Sequence, residues 1–356
     1  MHSVPRSWYR KDWRSAMLWP VSLIFQLLAA LRRQRYSLQA RKAPRTVPII
    51  VIGNITVGGT GKTPLLISLC KELLRKGLRP GIISRGYGGR STRYPLAVDE
   101  QTDPAEAGDE AVMIARVTAR PVVVDPDRLQ AYQHLCQKFD CDVVLSDDGL
   151  QHYRLPRDLE IIVVDGFRLF GNGFCLPAGP LREPVSRLKR AQHVVINDEP
   201  AEQKRDPRLQ HAVTMRTTPR FLINLVNGEK KPFNGAPFQL GTTVHAVSGI
   251  GNPDRFAALL SQLPYTLERH DFPDHHGFSE EDLAAIADHQ PIVMTEKDAV
   301  KCRRFAKANF WYLTTETQLP GEFVERLTGE VSSLVALAKQ AEKRDTAAST
   351  SKGKLS

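Results

Sequence analysis

The chain has 356 residues, of which 42% are hydrophobic and 25% are charged, a composition typical of a globular protein that can hold two domains. Its formal net charge is +10, but residues 1–45 hold ten Lys or Arg residues and one acid, so nearly all of the excess lies there. Because the rest of the chain is close to neutral, the sequence argues against a nucleic-acid-binding protein.

The first predicted element is an apolar segment, Ala16–Leu31, within residues 1–45. At about 1.5 Å per residue it reaches roughly 24 Å, short of the ~30 Å hydrocarbon core of a bilayer. We therefore predict a basic amphipathic helix in a membrane interface; a helix docked on the protein's own core is the alternative. No A-x-A site follows Ala29-Ala30, which disfavours a secretory signal. Polar residues share one predicted helical face: Ser15, Ser22, Gln26 and Arg33.

Next, an apolar run ending at Gly53 leads into a glycine-rich turn and then a helical pattern. This order of strand, loop and helix N-terminus predicts a variant P-loop, whose backbone N–H groups converge on nucleotide phosphates. It is a variant because a threonine stands where the strict pattern has glycine, and a purely structural glycine turn is the alternative. The residues expected to contact the nucleotide are Thr56, Val57, Gly58, Gly59, Thr60, Gly61, Lys62 and Thr63.

Residues 46–211 alternate short apolar runs with helical patterns, which predicts an α/β fold with a parallel sheet and helices on both faces. Ligands of such sheets bind at the carboxyl ends of the strands. The predicted strands are Val47–Ile52, Gly81–Ser84, Pro121–Val124, Val143–Ser146, Leu159–Val164 and His193–Ile196, and the predicted helices are Pro64–Lys76, Asp109–Thr118 and Asp127–Phe139.

The remaining chain divides into three parts. Residues 212–240 predict a two-stranded connector, with extended segments over Val213–Thr217 and Phe221–Val226, a turn at Asn227-Gly228 and a polar return strand through Lys230-Lys231. Residues 241–338 again alternate strand and helix patterns, which predicts a smaller C-terminal α/β domain. Residues 339–356 are rich in Lys, Ala, Ser and Thr, which predicts a disordered tail. The five cysteines show no paired spacing, and no ligand spacing fits a zinc site.

Carboxylates occur where the predicted sheet would place them for chemistry. Asp147 and Asp148 end an apolar strand, as expected of a Walker-B pair that holds Mg²⁺, although a simple turn would look similar. Asp109 and Glu110 open a helix, and taken alone they are interpreted as dipole partners or caps. Two further polar segments, at Arg182 and at His275, read as ordinary loops on their own.

Seven segments together are similar to the tetraacyldisaccharide 4′-kinases, the lipid A 4′-kinases of Gram-negative bacteria. They occur in the family's order over roughly residues 47 to 301, and the basic N-terminus fits as well. The segments are GNITVGGTGKTP (53–64), SRGYGG (84–89), GDEA (108–111), DDGLQH (147–152), PAGPLREP (177–184), FPDHH (272–276) and TEKDAVK (295–301).

The resemblance implies transfer of the ATP γ-phosphate to the 4′-hydroxyl of a tetraacylated glucosamine disaccharide 1-phosphate. It implies Asp109 next to the attacking hydroxyl, with His275 either positioning that carboxylate or raising its basicity. Lys62 and Arg182 would offset phosphate charge. The resemblance and the Walker-B pattern together assign Mg²⁺ to Thr63, Glu110, Asp147 and Asp148.

The acylated disaccharide implies work at the cytoplasmic face of the inner membrane, with residues 1–45 as the attachment, and neither nucleic acid nor an obligate protein partner is inferred. The alternative is a membrane-docked P-loop switch ATPase of the partitioning or metallochaperone type. Such ATPases often carry lysine where this chain has Val57. A membrane-docked nucleotide-binding scaffold with no chemistry is a second alternative. Transfer of phosphate to lipid rather than to water separates all three.

Overall fold

A computed structural model describes residues 6–10, 12–40, 46–200, 204–286 and 289–352. The helices are α1 (Trp13–Ala40), α2 (Lys62–Arg75), α3 (Pro104–Ala107), α4 (Asp109–Thr118), α5 (Arg128–Lys138), α6 (Pro253–Leu260), α7 (Glu280–Ala284), α8 (Glu296–Cys302) and α9 (Gly321–Lys352). The strands are β1 (Ile49–Gly53), β2 (Pro80–Ser84), β3 (Leu96–Val98), β4 (Val122–Val124), β5 (Val143–Asp147), β6 (Leu159–Asp165), β7 (His193–Asn197), β8 (Val213–Asn224), β9 (Lys230–Pro232), β10 (Thr243–Ser248), β11 (Thr266–Asp271), β12 (Ile292–Thr295) and β13 (Phe310–Gln318).

These strands form a continuous path in the order β11-β10-β12-β13-β8-β7-β6-β1-β5-β2-β4-β3, with β9 paired to β8. Around the P-loop strand the pairing is parallel, with β1 lying between β5 and β6. A second parallel group has β10 between β11 and β12. The predicted α/β class is confirmed, since a large sheet carries helices along the chain.

The P-loop strand β1 is buried on both faces of the sheet. Ile50 and Ile52 pack in the cluster that contains Leu65 and Leu69 of α2. Ile49 and its alternate neighbour Val51 pack on the opposite side, in the cluster that contains Ala131 and Leu135 of α5. Full burial of such a side chain is worth roughly 1.5–3 kcal/mol. A run of five apolar residues therefore fixes this strand in the centre, with its carboxyl end at the glycine-rich loop.

The connector differs from the expected pair of short strands. Residues 213–224 form one strand, β8, which pairs in parallel with β7 at its start and antiparallel with β13 over the rest. Pro219 does not break it, because the β13 register shifts between Thr314 and Thr315, opposite Pro219. Such an irregularity accommodates a residue with no backbone N–H to donate. The predicted return strand exists as β9, but the main partner of β8 is β13.

The C-terminal segment also differs from expectation, because α9 continues to Lys352 where disorder was predicted from Lys339. Lys339 contacts Asp142, with Nζ and Oδ1 2.6 Å apart, which holds this part of the helix against the first half of the sheet. Buried α9 side chains, Leu327 among them, pack in the same cluster as α2. The chain therefore returns to the P-loop half after β13.

The N-terminal helix α1 is longer than the predicted Ala16–Leu31. Its 28 residues correspond to about 42 Å, and Trp13–Tyr36 is long and apolar enough to cross a membrane by length and composition. The polar face turns toward the protein: the Ser22 hydroxyl donates to the Cys175 carbonyl at 2.8 Å and accepts from the Ala178 N–H. Exposed apolar side chains cover the other face: Trp13, Met17, Ile24, Leu27, Leu28 and Leu31.

Candidate active site

A cleft of about 930 Å³ opens where β1 and β5 end and the loops after β10 and β11 approach. One wall is formed by the glycine-rich loop and the start of α2, and the other by residues 250–252 and His275. The loop after β10 comes close to the first wall, since a Cβ atom at Gly251 would lie 4.0 Å from the Gly59 nitrogen. Both halves of the sheet thus contribute to one site.

The loop before Lys62 is held in a conformation that glycine permits. Gly61 has φ +91°, and a side chain there would collide with Asn197, whose Nδ2 would lie 2.2 Å from the added Cβ. The Asn197 amide, at the end of β7, donates to the Thr60 carbonyl at 3.1 Å. Residues 58 to 63 line the cleft at the N-terminus of α2, where backbone N–H groups favour an anion.

Two predicted nucleotide contacts are displaced from this wall. Thr56 forms an isolated bridge with Leu181, and the Val57 N–H donates to the Pro180 carbonyl at 2.9 Å. The Val57 backbone donor is therefore already engaged, and neither residue is among those lining the cleft. Their position holds the first part of the loop against the PAGP segment instead of presenting it to phosphate.

Lys62 and Arg182 converge on one carboxylate. The Asp148 Oδ1 atom lies 3.5 Å from Lys62 Nζ, and its Oδ2 lies 3.3 Å from Arg182 Nη1. Burial alone would raise the pKa of Asp148, but the two cations outweigh burial, so its pKa is lowered and the carboxylate is ionised. The next position requires glycine, because a Cβ atom at Gly149 would lie 2.3 Å from the Ser146 hydroxyl. The turn therefore brings Asp148 to both cations.

Asp147 lies beside this pair in a different environment. Burial, with added repulsion from Glu110 and Asp148, raises the pKa of its carboxyl. Asp147 Oδ1 is buried and accepts no hydrogen bond from any residue that the structure describes, whereas Asp148 Oδ1, also buried, has the Lys62 ammonium at 3.5 Å. A buried oxygen without a donor, in a cluster of carboxylates, fits a divalent cation. Thr63 and Glu110 line the same cleft, so the donor set suits Mg²⁺.

Asp109 and His275 meet although 166 positions separate them. His275 Nδ1 lies 3.2 and 3.1 Å from the two Asp109 oxygens, and its Nε2 lies 3.3 Å from Lys297 Nζ. The ammonium can only donate to Nε2, which assigns the ring proton to Nδ1 and makes it the donor to Asp109. His275 has φ +62°, and its N–H donates to the Gly249 carbonyl, which fixes the ring against Asp109.

The Asp109 carboxylate has further cationic neighbours that the sequence reasoning missed. Lys297 and Lys301 place their Nζ atoms 3.8 and 3.6 Å from Asp109 Oδ2. Burial opposes ionisation, but His275 and these lysines outweigh it, so the pKa of Asp109 is lowered. The contact therefore favours the role in which His275 positions the Asp109 carboxylate over the one in which it raises its basicity. The signal was a pair of lysines four positions apart, directly after the buried strand at 292–295, which puts both on one helical face.

Comparisons with known proteins agree on one family. The family model described as tetraacyldisaccharide-1-P 4′-kinase matches residues 14–332. The tetraacyldisaccharide 4′-kinase of Nitrosococcus oceani is 47% identical over 328 residues, covering 89% of this chain and 91% of that protein. The enzyme of the same name from Alkalilimnicola ehrlichii is 46% identical over 346 residues, covering 95% and 99%.

A solved structure extends the likeness to three dimensions. The crystal structure of LpxK from Aquifex aeolicus in complex with ATP is 28% identical, with a TM-score of 0.73, and the match covers 90% of this chain and 99% of that one. The family match spans the P-loop, the paired carboxylates and the His275 loop described above. This chain belongs to the tetraacyldisaccharide-1-P 4′-kinase family.

Proposed function

We propose that this chain transfers the γ-phosphate of ATP to the 4′-hydroxyl of a tetraacylated glucosamine disaccharide 1-phosphate, the activity that names its family. The observation that carries the proposal is the Asp109–His275 contact, 3.1 Å long, beside a cleft lined by the glycine-rich loop. A base next to a phosphate-binding loop is what transfer to a hydroxyl requires. ATP is the phosphate donor in this family's reaction.

In the proposed mechanism Asp109 accepts the proton of the 4′-hydroxyl late in the transfer. The lowered pKa of Asp109 keeps the carboxylate ionised and makes it a weak base. A weak base suffices because phosphoryl transfer passes through a loose transition state in most analyses, with little nucleophile deprotonation early on. His275, held by Lys297, orients the carboxylate and prevents it from turning away from the hydroxyl.

The phosphate side of the reaction relies on fixed cations. Lys62 and Arg182 stand on either side of Asp148, so they reach the cleft with their positions set before the substrates bind. Bound Mg²⁺ would offset the negative charge of the nucleotide phosphates. The residues proposed to hold it are Thr63, Glu110, Asp147 and Asp148.

We place the reaction at the cytoplasmic face of the inner membrane, with α1 lying in the interface. The helix contacts the enzyme body at Ser22 and at Arg33, whose Nη1 lies 3.9 Å from the Glu183 carboxylate. These contacts span about 17 Å of helix, which lipid cannot surround on all sides. The exposed leucines then enter the acyl region while the basic residues meet anionic headgroups. A substrate with four acyl chains stays in that same bilayer.

The proposal is tested by incubating the protein with γ-labelled ATP, Mg²⁺ and the tetraacyl disaccharide 1-phosphate in detergent. Label should appear in the lipid, and Asp109→Asn should lower kcat by about 10²–10⁴ with little change in ATP affinity. Asp99→Asn, which changes an exposed carboxylate near the same segment, is the matched control. Label released only as inorganic phosphate would favour the switch ATPase. An equal loss of ATP binding in Asp109→Asn would make Asp109 structural.

A further inference from the structure

Three potential metal ligands meet on the outer part of the C-terminal sheet, away from the residues that line the cleft. His245 on β10 is paired in register with Glu268 on β11, and His270 lies two positions further along β11. Side chains two positions apart on a strand point to the same face, and a parallel register neighbour shares that face. The fold thus gathers three ligand-type side chains that sequence spacing alone did not connect.

The distances between these donor atoms match a small divalent ion. His245 Nδ1 lies 3.1 Å from His270 Nε2 and 3.5 Å from Glu268 Oε2, and all three donor atoms lie within 4.8 Å of one another. Two ligands at about 2.0–2.1 Å from a tetrahedral zinc ion would be separated by about 3.3 Å. The two separations measured from His245 Nδ1 lie on either side of that value, and the third, between Glu268 and His270, is at most 4.8 Å.

The orientation of His245 also suits a ligand. Its Nε2 lies 2.6 Å from Gln290 Oε1, an oxygen that can only accept, so the ring proton is on Nε2 and Nδ1 carries a lone pair. A metal-bound histidine usually donates its other ring nitrogen to such a fixed acceptor. His245 is buried, with 4% of its surface exposed, so this orientation is held by packing.

The charge environment is compatible with a cation. Arg269, the nearest cation along β11, points to the other face and pairs with Asp254 and Asp271 at 2.8 Å. The Glu268 carboxylate supplies the negative charge, and no neighbouring strand residue described here repels the ion.

We propose that His245, Glu268 and His270 form a binding site for Zn²⁺ or a similar borderline divalent ion, with water completing the coordination. The ion would cross-link β10 and β11 at the edge of the sheet. The segment that follows β11 leads directly to His275, so the ion would brace the strand that carries this part of the active site. The site is structural in kind, because it lies outside the cleft.

The test uses the full chain, without a histidine tag and treated with chelator, in excess Mg²⁺ and ATP analogue so that the active site is occupied. Titration with Co²⁺ should give the intense visible bands of a tetrahedral complex, and Zn²⁺ should displace them. Zn²⁺ should also raise the thermal midpoint of the metal-free protein, because it binds the folded state. The readouts are metal binding and the thermal midpoint rather than kinase activity, so this test is independent of the kinase assay.

The variants discriminate a built site from surface binding. His270→Ala should weaken Zn²⁺ binding by more than about 100-fold, and Gln290→Leu by about 10–100-fold through loss of the outer contact. His211→Ala, which removes an exposed histidine elsewhere, should bind as the unchanged chain does. Circular dichroism of His270→Ala, and of Glu268→Gln as a second ligand variant, establishes that each is folded. Unchanged Zn²⁺ affinity in both folded variants, or no binding by the unchanged chain, would overturn the proposal.

Discussion

Asp147 and Asp148 are adjacent, yet their pKa values move in opposite directions. Burial, Glu110 and Asp148 raise the pKa of Asp147, whereas Lys62 and Arg182 outweigh the burial of Asp148 and lower it. The difference arises because Asp148, at φ +46°, turns toward the cations while Asp147 stays in the strand. A cation bound near Asp147 would offset this repulsion and stabilise the ionised carboxylate. The charges at this site therefore balance only when metal and substrate are both bound.

The first residue-scale prediction concerns Lys62. Lys62→Ala removes a fixed cation from the phosphate site and leaves Asp148 with Arg182 alone, so kcat should fall by about 10²–10³. Steady-state kinetics with labelled ATP measures this loss. Lys76→Ala, at the opposite end of α2 and exposed, is the control and should retain full activity. Activity within twofold of the unchanged chain in Lys62→Ala would exclude Lys62 from the mechanism.

The second residue-scale prediction concerns Glu296, because burial raises the pKa of its carboxyl to about 7. The folded chain then holds a proton that the unfolded chain has lost, so this group costs stability as the pH rises from about 4.5 to about 7, and the full cost remains above that. Glu296→Gln should therefore stabilise the protein at pH 8, by at most about 3 kcal/mol, and not at pH 4.5.

Thermal midpoints at the two pH values measure the Glu296 effect. Glu100→Gln changes an exposed glutamate in a turn outside any helix and should give the same midpoint as the unchanged chain at both. A gain for Glu296→Gln that is equal at pH 4.5 and pH 8 would show that packing, and not protonation, is responsible.

At the scale of elements, α1 presents a face with no partner in the described part of the chain. Leu27 and Leu28 are each 60% exposed on that face. Replacing both by Gln should weaken binding to anionic vesicles by about tenfold per residue, since each buried leucine is worth roughly 1.5 kcal/mol or more. Vesicle sedimentation measures the effect. Leu337→Gln, equally exposed on α9, should not change binding; an equal loss there would mean that the vesicle contact is not specific to α1.

Sequence patterns predicted the buried strands and missed the half-exposed ones. Continuous apolar runs located β1, β5 and β6, because a strand covered on both faces contains little else. Strand β11 reads TLERHD, and its polar residues face solvent at the sheet edge, so no apolar run marks it. That omission also concealed the His245, Glu268 and His270 cluster, which depends on the pairing of β10 with β11. Periodicity finds elements, whereas pairing decides which side chains meet.

At the scale of the whole molecule, the active site combines residues that no local pattern links. The Asp109–His275 contact joins the start of α4 to the loop after β11. Its parts were identified through the family resemblance, because each segment alone read as a cap or a loop. Lys297 and Lys301 lie in the segment TEKDAVK, and the sequence alone assigned neither lysine a role. Their role depends on α8 packing against α4, a contact that only the folded chain defines.

Stability also depends on residues that are distant in the sequence, because α9 packs against the P-loop half of the sheet. Leu327 is 1% exposed and packs in the cluster that contains Leu65 and Leu69. Leu327→Ala should therefore lower the free energy of unfolding by about 2–5 kcal/mol. Leu337→Ala, on the same helix but 62% exposed, should lower it by less than about 0.5 kcal/mol.

Urea unfolding followed by circular dichroism measures both α9 variants, and ATP-analogue binding reports whether the P-loop half unfolds with them. If α9 is part of that core, Leu327→Ala loses nucleotide binding in the same transition in which it loses helix. A chain truncated after Gln318 should fail to bind nucleotide, although every cleft residue is retained. Normal nucleotide binding by the truncated chain would show that residues 1–318 suffice, and that α9 only covers a core that is already stable.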